Sequence, residues 1–158
     1  MIYGICTLIL LAAWAAFFLL ARGRSLTPFG RLQAALRILV TLPLFISGTA
    51  HLVDTAAFVR LVPPVFHARS LLVVLTGLCE IAGGVGLFVP ATRRIAALCL
   101  AALMIAIFPA NIYVAGETIH GLPMPGVAVR LVMQAMYLWL ILLAGWGWPQ
   151  PAPPSIPL

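Results

Sequence analysis

The stretch LLVVLTGLCEIAGGVGLFV, residues 71–89, decides how this chain folds. It holds a single charged residue, Glu80, and is long enough to cross a bilayer as a helix, which takes about 20 residues. A carboxyl group at bilayer depth is expensive to keep there. It therefore faces a protein interior and marks a pathway, a relay or a binding site. The stretch also supplies the surroundings of that group. Thr76, Glu80 and Gly84 follow i, i+4 spacing, with Gly77 and Gly83 flanking the same face. Small residues on such a face let a second helix approach closely.

The rest of the chain is of the same kind. Hydrophobic residues make up 64% of its 158 residues and charged residues 8%, against about 25% charged in average soluble domains. This composition implies an all-α integral membrane protein with little mass outside the bilayer. Five apolar runs reach or approach spanning length, at residues 2–21, 38–53, 71–89, 95–115 and 131–146. The second is short, and Pro43 is expected to bend it. The first is followed by Arg22 and Arg24 and preceded by no basic residue, the reverse of a secretory signal, so it is expected to be a retained span. The organisation that follows is an extra N-terminal helix and loop (1–30), a four-helix membrane domain (31–147) and a proline-rich tail (148–158) expected to be extended or disordered.

All basic residues are arginine, and the net charge is +6. They are scattered between apolar runs rather than gathered in one patch, which excludes nucleic acid as a partner and makes them topology signals and lipid-headgroup contacts. With five spans, the loop after the first holds Arg22, Arg24, Arg31 and Arg37, and Arg93 and Arg94 share its side. Arg60, Arg69 and Arg130 lie opposite. The positive-inside rule then gives a multi-pass protein of the bacterial cytoplasmic membrane, with the N-terminus outside and the C-terminus inside.

The polar residues sort to the outer half under that topology. His51 and Asp54, Arg60 and His67, Asn111, Glu117 and His120, and Arg130 with Gln134 all fall there. Glu80 and His51 are the candidate catalytic residues, because a carboxyl group and an imidazole in an apolar setting can exchange protons. Arg130, Gln134 and Asn111 are the candidate ligand-binding residues. Arg130, His51 or Gln134 can reach toward Glu80, and the sequence does not choose among them. The competing reading makes Glu80 a hydrogen-bonded pin between helices and pairs His51 with Asp54 or Ser47. Pro109 and Asn111 are expected to interrupt the fourth run, with Asn111 either replacing a lost hydrogen bond or lining a cavity beside Glu80. Metal and haem have no support, since the histidines show no ligand spacing and only His51 lies near a span. Cys6, Cys79 and Cys99 form no C-x-x-C pair and read as small buried apolar side chains.

These residues resemble the DoxX-like family of small bacterial membrane proteins. The resemblance rests on GTAH (48–51) followed by Phe58 and Pro63, on GLCEIAGGVGL (77–87) leading into PATRR (90–94), on FPANIY (108–113), and on Arg130 with Gln134. It implies a four-helix membrane bundle, to which the first run here adds a fifth span. Some members are similar to subunits of quinone-linked oxidoreductases. The expectation it carries is a subunit or accessory of such an enzyme, with a quinone as ligand, a redox partner subunit or a second copy as partner, and a polar site opening to the outer face. The other readings are a non-catalytic scaffold or assembly factor, and a proton or small-molecule transport element. The thiol-redox role of related proteins is not implied, because paired cysteines are missing.

Overall fold

The structure, a computed structural model, describes residues 28–119 and 122–146. The expected first span, 2–21, and the tail, 148–158, lie outside those residues. In chain order the elements are α1 (Pro28–Val53), α2 (Thr55–Val59), α3 (Arg69–Phe88), α4 (Arg93–Tyr113), strands β1 (Thr118–Ile119) and β2 (Leu122–Pro123), and α5 (Val127–Trp146). The chain is therefore mostly helical. The two strands pair antiparallel over two residues each, a tight link between α4 and α5.

α1, α3, α4 and α5 are each long and apolar enough to cross a membrane. α1 packs on α3, α3 on α4, α4 on α5, and α5 back on α1, which closes an up-down-up-down bundle. Its tightest apolar core lies toward one end, where Val40, Leu44, Leu87, Ala97, Leu100, Met104, Ile141 and Ala144 meet. Large apolar side chains cover the outside as well, among them Leu39, Ile46, Leu78, Ile95, Ile105, Val132 and Trp139. A surface that apolar is consistent with a membrane protein, because lipid tails cover it without the penalty water would impose.

The helices outrun the apolar runs that foretell them. α1 starts at Pro28, so Arg31 and Arg37 belong to the helix and not to the preceding loop. Arg37 is accommodated because its Nε donates to the Ala144 carbonyl of α5 (3.2 Å) and its Nη2 to Gln33 Oε1 one turn earlier (3.2 Å). α5 begins at Val127, with Arg130 already inside its first turn. Hydropathy stops at an arginine, whereas the backbone continues wherever the guanidinium finds an acceptor.

The expected bend at Pro43 and interruption at Pro109 do not end their helices. α1 runs through Pro43 and α4 through Pro109 without ending. Each proline lacks the N–H that would bond the carbonyl four residues earlier, that of Leu39 or of Ile105. α5 sends a donor to the neighbouring carbonyl in each case. Tyr137 donates its hydroxyl to Val40 O (2.5 Å), and Gln134 donates its amide to Met104 O (2.6 Å). Gln134 and Tyr137 are three residues apart and so share a face. These bonds tie α5 to the turn beside each proline and go to Val40 O and Met104 O rather than to the freed carbonyls themselves.

α1 and α3 cross at glycine. A Cβ built on Gly77 would lie 2.8 Å from Gly48 O, and one on Gly48 would lie 2.7 Å from Gly77 O. Backbone cannot swing aside as a side chain can. Gly77→Ala should lower the melting temperature in detergent: overpacking costs about 1–3 kcal/mol and outweighs the helix-propensity gain of about 1 kcal/mol. Gly126→Ala, where nothing lies within 4 Å of the added Cβ, should leave the melting temperature nearly unchanged.

Candidate functional site

The buried face of α3 is Val73, Gly77, Glu80, Gly84 and Leu87, alternating steps of four and three that keep one stripe toward the interior. Glu80 follows Arg69 by 11 residues and precedes Phe88 by 8, so at about 1.5 Å per residue it lies roughly 16 and 12 Å from the helix ends. Gly77 and Gly84, on either side of it, admit α1. A Cβ on Gly77 would meet His51 Cβ at 2.8 Å, and one on Gly84 would meet the Phe45 ring at 3.3 Å. This close approach brings His51 over Glu80.

Glu80 is 3% exposed, and its Oε2 lies 3.5 Å from His51 Nδ1. That is too long for a good hydrogen bond, though within ion-pair distance. Neither atom has a hydrogen-bond partner among the described residues, and both are buried. A buried polar atom left unsatisfied costs about 1–3 kcal/mol, so two facing each other at the middle of a helix bundle call for an explanation beyond packing.

His51 is held from the chain that follows it. α1 ends at Val53, and Thr55 Oγ1 donates to the His51 carbonyl (2.8 Å). Asp54 does not pair with His51; its Oδ1 accepts from Ala57 N (3.2 Å) and caps the N-terminus of α2. From α2, the Phe58 ring stands edge-on to the imidazole, with centroids 4.3 Å apart at 83°. α2 has no buried residue. With the turn after it, it also borders an open cleft of about 430 Å³ lined by Ala57, Arg60, Leu61, Tyr113, Val114, Glu117 and Thr118. This short helix thus touches both the histidine and the cleft.

The three ligand-binding candidates gather elsewhere, at the seam between α4 and α5. Arg130 donates from Nη1 to Asn111 Oδ1 (3.1 Å) and from Nε to Pro125 O (3.0 Å). Gln134 is engaged with Met104 O, as described above. Of the residues expected to reach toward Glu80, His51 is the one in contact with it. Asn111 faces Arg130 and does not itself mend the Pro109 turn. Tyr137 is not among the sequence candidates, yet its hydroxyl joins α5 to α1 at Val40 O. The signal for it is its position one turn beyond Gln134 on the same face.

His67 is exposed in the loop before α3, and His120 lies outside the described residues. Cys79 and Cys99 are exposed on outward faces of α3 and α4, not buried as expected. In a bilayer the outside of a helix is as apolar as the core, so a small apolar side chain fits either side. Among the described residues no three metal-ligating side chains converge.

A protein-family profile, Domain of unknown function (DUF8561), matches residues 28–146. No curated protein and no solved structure matches the chain.

Removing a satisfied interhelical bond and removing an unsatisfied carboxylate should differ in their effect on stability. Tyr137→Phe and Gln134→Leu should each destabilise the protein by about 0.5–1.5 kcal/mol, the range of interhelical hydrogen bonds in membranes. Glu80→Gln should leave stability within about 0.5 kcal/mol of the parent, measured by unfolding in the same detergent. A loss at Glu80→Gln as large as at Tyr137→Phe would make Glu80 a packing pin.

Proposed function

The chain belongs to the DUF8561 family, and from its buried His51–Glu80 pair we propose a membrane protein that exchanges protons with a small bound molecule at that pair. In its fuller form, the proposal is a subunit or accessory of a quinone-linked oxidoreductase in the bacterial cytoplasmic membrane. The observation that carries it is the contrast among polar side chains. Arg37, Arg130, Gln134 and Tyr137 each reach an acceptor on another element, whereas His51 Nδ1 and Glu80 Oε2 face each other with no hydrogen bond formed. A pin between helices needs its bonds closed. A site keeps them open for a ligand.

The chemistry fits two groups that can each carry a proton. A quinol losing two electrons also releases two protons, and the imidazole and the carboxylate can accept them at one place. The electrons pass to a redox group on a partner subunit. Phe58 gives the imidazole an aromatic neighbour, and the pair supplies two polar groups that can orient a quinone ring. Asn111, Arg130 and Gln134 then hold α4 against α5 and need not touch the ligand. The DoxX-like motifs agree with this division. GTAH packs on the Gly77–Gly84 stretch, and FPANIY is joined to Arg130 through Asn111.

The transport reading is weaker. Among the described residues between the pair and the arginine-bearing end, the buried side chains are apolar except Thr41, whose hydroxyl donates to Arg37 O of its own helix (2.8 Å). That supports a site reached from one side. The open side is the end bearing Asp54, Arg60 and Glu117, which the positive-inside rule makes the outer one. This orients α1 from inside to outside.

Mass spectrometry of the protein extracted with its native lipids should find a bound quinone and a redox partner subunit. His51→Ala and Glu80→Gln should each cut the quinone content at least tenfold with expression and folding unchanged. A parent protein carrying neither quinone nor redox partner, with no phenotype for Glu80→Gln, would instead establish the scaffold reading.

A further inference from the structure

The arginine-bearing end has a charge imbalance that the protein does not correct. α1 and α5 bring Arg37 to the same end as Arg93 and Arg94, the first residues of α4. Arg37 binds Ala144 O, and the next residue, Gly145, packs so close to α4 that a Cβ there would lie 3.5 Å from Arg93 O. The chain's three acids are Asp54, Glu80 and Glu117, and all lie in the middle of the bundle or at its other end. Among the described residues no carboxylate pairs with these arginines.

The guanidinium groups are nevertheless fixed in place. Arg93 donates from Nε to Leu87 O (3.0 Å), which caps the end of α3, as Arg37 does for Ala144 near the end of α5. Both are half-buried and Arg94 is exposed. Two like charges are held by backbone bonds at this end of the bundle, and the exposed Arg94 follows next along α4. Immediately along α4 from them the surface turns apolar. Leu98 lies one turn from Arg94 on the same face and is 54% exposed, and Ile95 beside it is 64% exposed.

We propose that this end holds an anionic phospholipid. Its headgroup phosphate lies against Arg37, Arg93 and Arg94, and its acyl chains lie along Ile95 and Leu98. Charge complementarity selects the anion, since guanidinium forks match phosphate oxygens. The continuous apolar face selects a lipid over a free ion. Basic clusters at helix ends on the inner side of a membrane suit acidic lipid in the same way. The proposal does not depend on the role of the His51–Glu80 pair.

Native mass spectrometry of the full chain tests it, using phosphatidylglycerol and phosphatidylcholine of the same acyl composition. One phosphatidylglycerol should be retained at least tenfold more strongly than phosphatidylcholine. Arg94→Gln, which removes an exposed side chain, should reduce that retention several-fold, and Arg93→Gln with Arg94→Gln should abolish the preference. Arg60→Gln at the opposite end should leave it unchanged. Equal retention of the two lipids, an unaltered preference in the double variant, or loss of the bound lipid to millimolar inorganic phosphate would each overturn the proposal.

Discussion

The close crossing of α1 and α3 at Gly48 and Gly77 is the contact on which the rest of the arrangement depends. In water the hydrophobic effect would press two such helices together, but lipid tails are as apolar as leucine, and packing must supply the attraction instead. Backbone meeting backbone achieves it, because dispersion contacts fall off within fractions of an ångström. At this crossing a side chain on either residue would intrude on the other's carbonyl oxygen. The same glycines set where the polar side chains go. His51 stands opposite Gly77 and Glu80 opposite Gly48, so the bare glycines let the imidazole and the carboxyl group meet across the crossing, 3.5 Å apart.

The polar groups then divide by what they do. On the α5 side they are closed: Tyr137 and Gln134 steady the two proline-containing helices, Arg130 joins Asn111, and Arg37 meets Ala144. These bonds give four helices a fixed arrangement where apolar packing alone would leave them free to slide. On the α1–α3 side the one buried carboxylate and the imidazole above it are open. Such a division of labour is what a binding site needs, a rigid frame around groups whose hydrogen-bonding capacity is unused.

Much of this could be read from residues 71–89. An apolar run charged only at Glu80 marks α3, and the spacing of its small residues marks the buried face, because a helix repeats every 3.6 residues whatever surrounds it. The four described spans were legible for the same reason. Partner choice was not. His51 stands equally near Asp54 in sequence and Glu80 in space, and the capping of α2 by Asp54 settles which is available. Arg130 and Gln134 point where the α4–α5 seam puts them, a long-range matter that spacing within one helix does not encode. The length of α1 was hidden by Arg37, whose acceptor lies 107 residues away in sequence. Cys79 and Cys99 misled because hydropathy cannot tell an inward apolar residue from one facing lipid.

The central claim is that the His51–Glu80 pair is a site whose bonds are left open for something other than protein. An experimental structure of the protein in a lipid nanodisc, at a resolution that shows ordered small molecules, tests it most directly. The expected result is density for a non-protein group within hydrogen-bonding distance of both His51 Nδ1 and Glu80 Oε2, with Phe58 still against the imidazole. A direct His51–Glu80 hydrogen bond of about 2.8 Å, with no other group beside it, would contradict the claim and make the pair a pin.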